Sequence, residues 1–250
     1  MITAADIAPL RPWLAGGLLV GLLVWEVAQP YFAAFTRGPQ AWRRRGKNAA
    51  INLGLGLLNA AVVAVVFVGL WAATTRWAAA HDFGLLRWLS LADGWRWVAA
   101  LLLLDAWTYT WHRLNHTVPW LWRFHRLHHA DEEMNVTTAS RFHVGEIVLS
   151  SLLRIPLLAL LGVGLEELAI YETLLFAVVQ FHHANIALPE KADRVLRLII
   201  VTPALHRVHH SVVRAEADSN FSSLFSWWDR LFGSWRLVRD PRSIRFGVDD

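Results

Sequence analysis

The placement of histidine constrains this chain more than any other feature. Eleven of its twelve histidines lie between His112 and His210, and only His81 stands outside that stretch. His112 and His116 are four apart, and His125, His128 and His129 stand at i, i+3 and i+4. The second pattern returns as His206, His209 and His210. On a helix either spacing puts the imidazoles on one face, about a turn apart. Neutral imidazole is a common metal ligand, and several on rigid helices preorganise a site. Eight nitrogen ligands are too many for one ion, so two ions with four or five ligands each are expected. Imidazole suits iron, zinc, copper and nickel alike, so spacing leaves the metal open. The chain has no cysteine, which excludes disulfides, iron–sulfur clusters and thiolate zinc sites.

The chain around these clusters reads as a membrane protein. Hydrophobic residues make up 55% and charged residues 18%, against about 45–50% and about 25% in soluble domains. Fifteen tryptophans fit the membrane interface. The net charge of +4 is modest. No basic nucleic-acid motif is present, so nucleic acid is not an expected partner.

Trp13 to Phe35 is apolar enough for a first, retained span. Glu26 interrupts it and is expected to point into the bundle, in a structural hydrogen bond. Arg37, Arg43, Arg44, Arg45 and Lys47 follow in a short loop, which the positive-inside rule assigns to the cytoplasm. Ala49 to Ala73 is a second span, whose Gly54, Gly56, Ala60, Ala61 and Ala64 allow close packing. Thr74 to Arg96 is a polar stretch on the opposite side, with His81 an ordinary surface histidine. Trp97 to Thr110 returns the chain, and its helix is expected to carry Asp105, His112 and His116 beyond the hydrocarbon until Pro119 breaks it. Asp105 either orients a ligand histidine or faces a neighbouring helix. Ile147–Val163 and Leu168–Val179 are short for full spans and read as a helical hairpin. Phe221 to Trp235 has the composition of an interfacial segment.

The order H-x3-H, H-x2-H-H, H-x2-H-H is joined by Asp105-Ala-Trp-Thr-Tyr, Arg141-Phe-His-Val-Gly-Glu146, Phe181-His-His-Ala-Asn185 and Trp228-Asp-Arg-Leu-Phe-Gly233. From about Ala99 to Ser234 the chain resembles the fatty acid hydroxylase/sterol desaturase superfamily of integral-membrane di-iron oxygenases. It has Asn220-Phe-Ser where the family often has Asn-Tyr-Gly, and His143-Val-Gly-Glu146 where the family has His-Pro-Leu-Glu. The resemblance implies an all-α integral membrane protein with about four membrane-embedded helices. A cytoplasmic histidine-rich helical cap would hold a dinuclear site. Residues 1–93 would be N-terminal transmembrane helices and 94–250 the di-metal domain.

The resemblance further implies that His112, His116, His125, His128, His129, His206, His209 and His210 carry catalysis as metal ligands. His183 would be a ninth ligand, with His182 turned to packing or lipid headgroups. His143 would support a ligand rather than be one, and Asn185 could reach a metal through water. The cofactor would be two iron ions, which zinc can replace in purified protein. The activity implied is dioxygen-dependent hydroxylation or desaturation of a lipid C–H bond in a fatty acyl chain, sterol or related molecule. A separate donor (ferredoxin, cytochrome b5-like protein or reductase) would supply electrons, since no haem or flavin module is expected in this chain. The implied location is a membrane, read as a bacterial inner membrane. Within the class the alternative is an alkyl ether lipid or sterol oxidase. Outside it the rival is a metal transporter, whose sites lie near the bilayer midplane on broken helices.

Overall fold

The structure is a computed structural model that describes residues 11–249. The first ten residues of the expected N-terminal unit and the last residue of the following one lie outside the described residues. The described chain is helical, and its β pairings are isolated bridges.

Helix α1 (Arg11–Ala28) stops before Pro30, because the residue preceding a proline is driven out of the α conformation. The first apolar run is therefore shorter than the expected Trp13–Phe35 span, and a single 3-10 turn (Ala33–Phe35) follows it. Pro39, whose missing N–H costs nothing at a first helical position, opens α2 (Pro39–Val62). A π segment (Val63–Phe67) and α3 (Val68–Ala80) continue it without a break. These pieces have 24, 5 and 13 residues, a rod about 60 Å long at about 1.5 Å per residue. Arg43, Arg44, Arg45 and Lys47 stand on this rod and not, as expected, in a loop.

A turn and short α4 (Leu85–Trp88) lead to α5 (Asp93–Thr117), and Pro119 starts α6 (Pro119–His129). After a 3-10 segment (Val136–Ser140) come α7 (Val144–Leu161) and α8 (Leu165–His183). Both arms of this hairpin are longer than expected. Pro156 lies inside α7 without ending it, and Glu167 accepts from the Gly164 N–H to start α8. Between them Gly162 takes the left-handed conformation (φ 68°) that glycine adopts without strain. Any side chain on Gly84 would run into the Gly162 backbone. The chain ends with α9 (Glu190–Leu196), α10 (Pro203–His209), α11 (Arg214–Ala217) and α12 (Trp227–Leu231).

Phe67, Trp71, Leu86, Ala100, Leu104, Leu158, Leu168 and Tyr171 form the main apolar core between α3, α5, α7 and α8. Arg154 pairs with Glu172 at 2.6 Å, and Arg96 with Glu167 at 2.8 Å. Of the small residues on α2, Gly56 does what was expected: a Cβ there would lie 2.8 Å from Ser140 Cβ. Gly54 has open space instead.

Among the described residues, Pro39–Trp88 and Val144–Leu161 are long and apolar enough to cross a membrane, and Trp13–Ala28 is a shorter apolar helix. Few side chains of either stretch are buried, and Val65 is 84% exposed. A core helix of a soluble protein buries such a stripe. Outward apolar surface of this extent is what lipid covers.

Candidate metal centre

Four helices converge on one buried place. Helix α5 brings His112 and His116, α6 brings His125, His128 and His129, and the end of α8 brings His182 and His183. Helix α10, opened by Pro203, brings His206 and His209, and His210 closes it. The side chains sort into two groups whose ligand atoms lie within 4.8 Å of one another. His112, His116, His125, His129 and His209 form the first, and His128, His183, His206 and His210 the second.

Hydrogen bonds fix which ring nitrogen is free in six of these rings. Nδ1 of His112 donates to the Phe221 carbonyl (2.8 Å), that of His128 to Arg141 (3.2 Å), that of His183 to Val179 (2.8 Å) and that of His209 to Ser219 (2.8 Å). His125 Nδ1 donates to Glu146 Oε1 (3.0 Å), and His116 Nδ1 faces Asp218 Oδ1 (3.3 Å). A carbonyl only accepts, so Nδ1 holds the proton and Nε2 keeps its lone pair. Metal-ligating histidines are oriented in this way. In the first group Nε2 of His112, His116, His125 and His209 is buried without a protein partner, as are both ring nitrogens of His129. Orphaned buried nitrogens are rare in native proteins, and an ion between them is the explanation that fits their donor set.

The second group fits an ion by distance. Nε2 of His128 and His183 lie 3.1 Å apart, of His183 and His206 3.0 Å, and of His206 and His210 3.1 Å. Two nitrogens at about 2.1 Å from one ion and at right angles stand about 3.0 Å apart. Charge fits as well. Burial holds His112, His116, His128, His129, His206 and His210 well below the ordinary imidazole value, and neighbouring histidines push the same way. Burial also brings His183 down to about 4 and His209 to about 3. The rings are neutral at pH 7, the form that binds metal.

A polar frame that the sequence reading missed holds the histidine-bearing loops. Glu26 is fully buried and pairs with Arg45. Its Oε1 also accepts from the backbone N–H of Val136 and of Asn185, both at 2.7 Å. The expectation of a structural acid inside the bundle was right, but it said nothing of these partners. On α2, Asn48 and Asn52 donate to Asp131, and Asn52 accepts from Arg141, whose carbonyl holds His128. Asn59 donates to the Phe142 carbonyl (2.9 Å), and the Phe142 ring stacks on His128 at 4.3 Å. Asp229 accepts from the N–H of Phe221 and of Ser222 and so sets the carbonyl that His112 uses.

Other single residues settle as follows. Asp105 accepts from Tyr171, from the Phe225 N–H and from Trp228, the neighbour-facing alternative. His143 Nδ1 accepts from the Gly145 N–H and caps α7. Asn185 is committed to the Phe32 backbone and does not turn toward the histidines. His182 is not at a lipid surface: it is buried, its ring lies 3.9 Å from that of His206, and neither of its nitrogens has a partner. His81 is exposed against Trp77, as expected. Phe221–Trp235, expected at the interface, wraps the centre with buried Asp229 while Leu231 and Phe232 face outward.

A cavity of about 660 Å³ opens beside the histidines. Leu19, Leu57, Trp107, Trp111, Ile147 and Phe176 belong to its mostly apolar wall, which reaches His112, His125, His128, His182, His183 and His206. Its size suits a lipid or similar small molecule.

Residues 97–234 match the family model described as fatty acid hydroxylase. The ornithine lipid hydroxylase OlsE of Rhizobium tropici is 34% identical over 60% of this chain and 45% of its own. Human alkylglycerol monooxygenase is 32% identical over 58% of this chain and 32% of its own. Cholesterol 25-hydroxylase of Rattus norvegicus is 29% identical over 60% and 49%. The chain thus spans a third to a half of the length of these curated relatives. No solved structure gives a significant match.

Proposed function

The chain belongs to the fatty acid hydroxylase family, and from that premise we propose that it is a membrane-bound, dioxygen-dependent oxidoreductase acting on a lipid C–H bond. One observation carries the reading: two groups of buried imidazoles stand at the wall of an apolar cavity. The relatives named for ornithine lipid, alkylglycerol and cholesterol are all hydroxylases or monooxygenases, so hydroxylation is preferred over desaturation. In this reading His112, His116, His125, His129 and His209 hold one iron, and His128, His183, His206 and His210 hold the other. Such a pair supplies the electron transfers by which one atom of dioxygen enters the C–H bond while the other leaves as water, with two electrons and two protons taken up. The electrons come from a separate donor such as a ferredoxin, a cytochrome b5-like protein or a reductase.

The protein's own contribution is placement and exclusion of water. Backbone carbonyls and carboxylates hold the imidazoles, and the apolar wall receives the chain and keeps bulk water from the reacting carbon. We assign α1, the α2–α3 rod beyond Lys47, the first part of α5 and the α7–α8 hairpin as far as Val179 to the bilayer. Arg43, Arg44 and the histidines then share the cytoplasmic side, and His81 lies opposite. Arg44 reaches Glu133 at 2.6 Å, only a few residues from His129, which supports that grouping.

The test is lipid analysis of cells carrying the protein, the His128→Ala/His209→Ala variant, or neither. New hydroxylated lipid only with the intact protein is the expected result. Unchanged lipids with altered cellular metal content would favour a transporter.

A further inference from the structure

An outward apolar surface lies on the histidine-bearing part of the chain, away from the long helices. Leu198 and Ile199 stand in the turn after α9 and are 60% and 54% exposed. Leu231, at the end of α12, is 68% exposed. Hydrogen bonds bring the two segments side by side. Trp227 Nε1 donates to the Leu198 carbonyl (2.7 Å), the Ser226 N–H to the Ile199 carbonyl (3.1 Å) and Arg230 Nη2 to the Arg197 carbonyl (2.7 Å). Leu231 stands one helical turn beyond Trp227. Val195, Leu198, Ile199, Trp227, Leu231 and Phe232, all exposed, thus belong to one surface. Asp193, Ser226 and Asp229 of the same segments are buried, so the apolar character is one-sided.

Two independent observations say what covers this surface. The first is its depth. The Trp228 indole and the Phe225 N–H both donate to Asp105 (2.7 and 3.0 Å), and the Phe232 ring stacks on Tyr109 at 5.2 Å. Asp105 and Tyr109 lie in the Trp97–Thr110 run by which α5 crosses toward the cytoplasmic side. Helix α12 is therefore held against the end of a crossing helix, level with the cytoplasmic leaflet. The second is the backbone. The carbonyls of Arg197, Leu198 and Ile199 take the bonds given above, and their N–H groups donate to Asp193, Val195 and Leu196. An exposed turn in water leaves such groups to the solvent, whereas one in contact with lipid must bond them within the protein. The Trp227 N–H, the polar handle of its ring, is spent in the same way. Lys191 and Arg194 are exposed on α9 just ahead of the turn, cations of the kind that reach back to headgroups.

We propose that the α9 turn and α12 form a monotopic foot that lies in the cytoplasmic leaflet at the boundary of headgroups and acyl chains. Its occupant is the bilayer itself, not a protein partner. The foot is built into the metal centre. The Val201 N–H donates to the Leu224 carbonyl, tying the two segments together where Thr202 opens α10 with His206 and His209. The lipid contact thereby fixes the depth of the last histidine cluster. This rests on the assignment of the long apolar helices to the bilayer.

The chain has no cysteine, so a single one can carry a fluorophore in an otherwise unchanged protein. The labels go on Leu198→Cys and Leu231→Cys in the full-length, zinc-loaded protein in nanodiscs, with Val65→Cys as the lipid-facing reference and exposed Glu132→Cys as the aqueous one. Metal content equal to the parent's shows that each variant is folded. Lipids brominated on their acyl chains should quench both foot labels at least about half as strongly as Val65, and aqueous iodide should quench them at least about threefold less than Glu132. Iodide quenching equal to that of Glu132, with none from brominated chains, overturns the inference and returns the surface to water. Labels shielded from iodide but untouched by brominated chains also overturn it, because a protein, either a second copy or a partner, then covers the surface. If brominated chains fail to quench Val65, the bilayer assignment is wrong and fails before this inference is reached.

Discussion

Replacing Glu26 with glutamine should unfasten the centre without touching a histidine. Glu26 Oε1 accepts two backbone N–H groups and Oε2 takes the Arg45 guanidinium. The glutamine oxygen can keep the two N–H bonds, but its amide nitrogen then faces Arg45, donor against donor. The loss therefore falls on Arg45, itself nearly buried, which is left as an unpaired charge. Breaking a buried pair on one side costs about 3–5 kcal/mol. For a chain of this size that is roughly 6–20 °C in melting temperature. The N–H groups at stake belong to Val136, which opens the segment leading to Arg141, and to Asn185, two residues after His183. The second histidine group should therefore lose its ion before the first. Differential scanning fluorimetry and elemental analysis on purified Glu26→Gln give both numbers. Adding Arg45→Met should restore much of the melting temperature, because the unpaired charge is gone. A Glu26→Gln protein that melts within about 2 °C of the parent with full metal content would refute the reasoning, as would an Arg45→Met addition that restores nothing.

Three further outcomes are expected. His209→Ala should abolish turnover and lower metal content toward one ion per chain, while exposed His81→Ala leaves both unchanged, measured by product formation and elemental analysis. His183→Ala should lose metal, whereas His182→Ala should keep it but bind lipid differently, because His182 stands at the cavity wall outside both groups; the reverse pattern would exchange their roles. The metal-free protein should lose stability as pH falls below about 6.5. Well above that value the buried rings whose protonation is suppressed in the fold are neutral in both states, and pH has no effect through them. Below it the unfolded chain takes up protons that the buried rings refuse, until His183 near 4 and His209 near 3 titrate in the fold. Melting curves of the apo protein against pH check the sign.

The sequence announced the histidines because their spacing is local: each cluster lies within one helix or its cap. It announced helix breaks at Pro119 for the same reason. The frame was not legible because its partners are remote in the chain. Glu26 meets residues 110 and 159 positions away, and no periodicity encodes that. A partial signal did exist in Asn48, Asn52 and Asn59, three amides at i, i+4 and i+11 on one side of an apolar helix. That stripe marks a polar neighbour. His182 was misplaced because neighbouring residues on a helix diverge by about 100°, which was read as turning it away. The convergence of α8 with α10 instead closes around it.

Four of the six anchored imidazoles hand their Nδ1 proton to main-chain oxygens, those of Phe221, Arg141, Val179 and Ser219. A main-chain oxygen is present whatever side chain hangs beside it. Point substitutions can therefore remodel the cavity wall through generations of drift without rewriting the tautomers of those four rings. The metal centre and the substrate preference are then separately heritable. Under the proposed function, changing wall residues such as Leu57, Ile147 or Phe176 would alter which lipid fits while leaving those four rings held as they are.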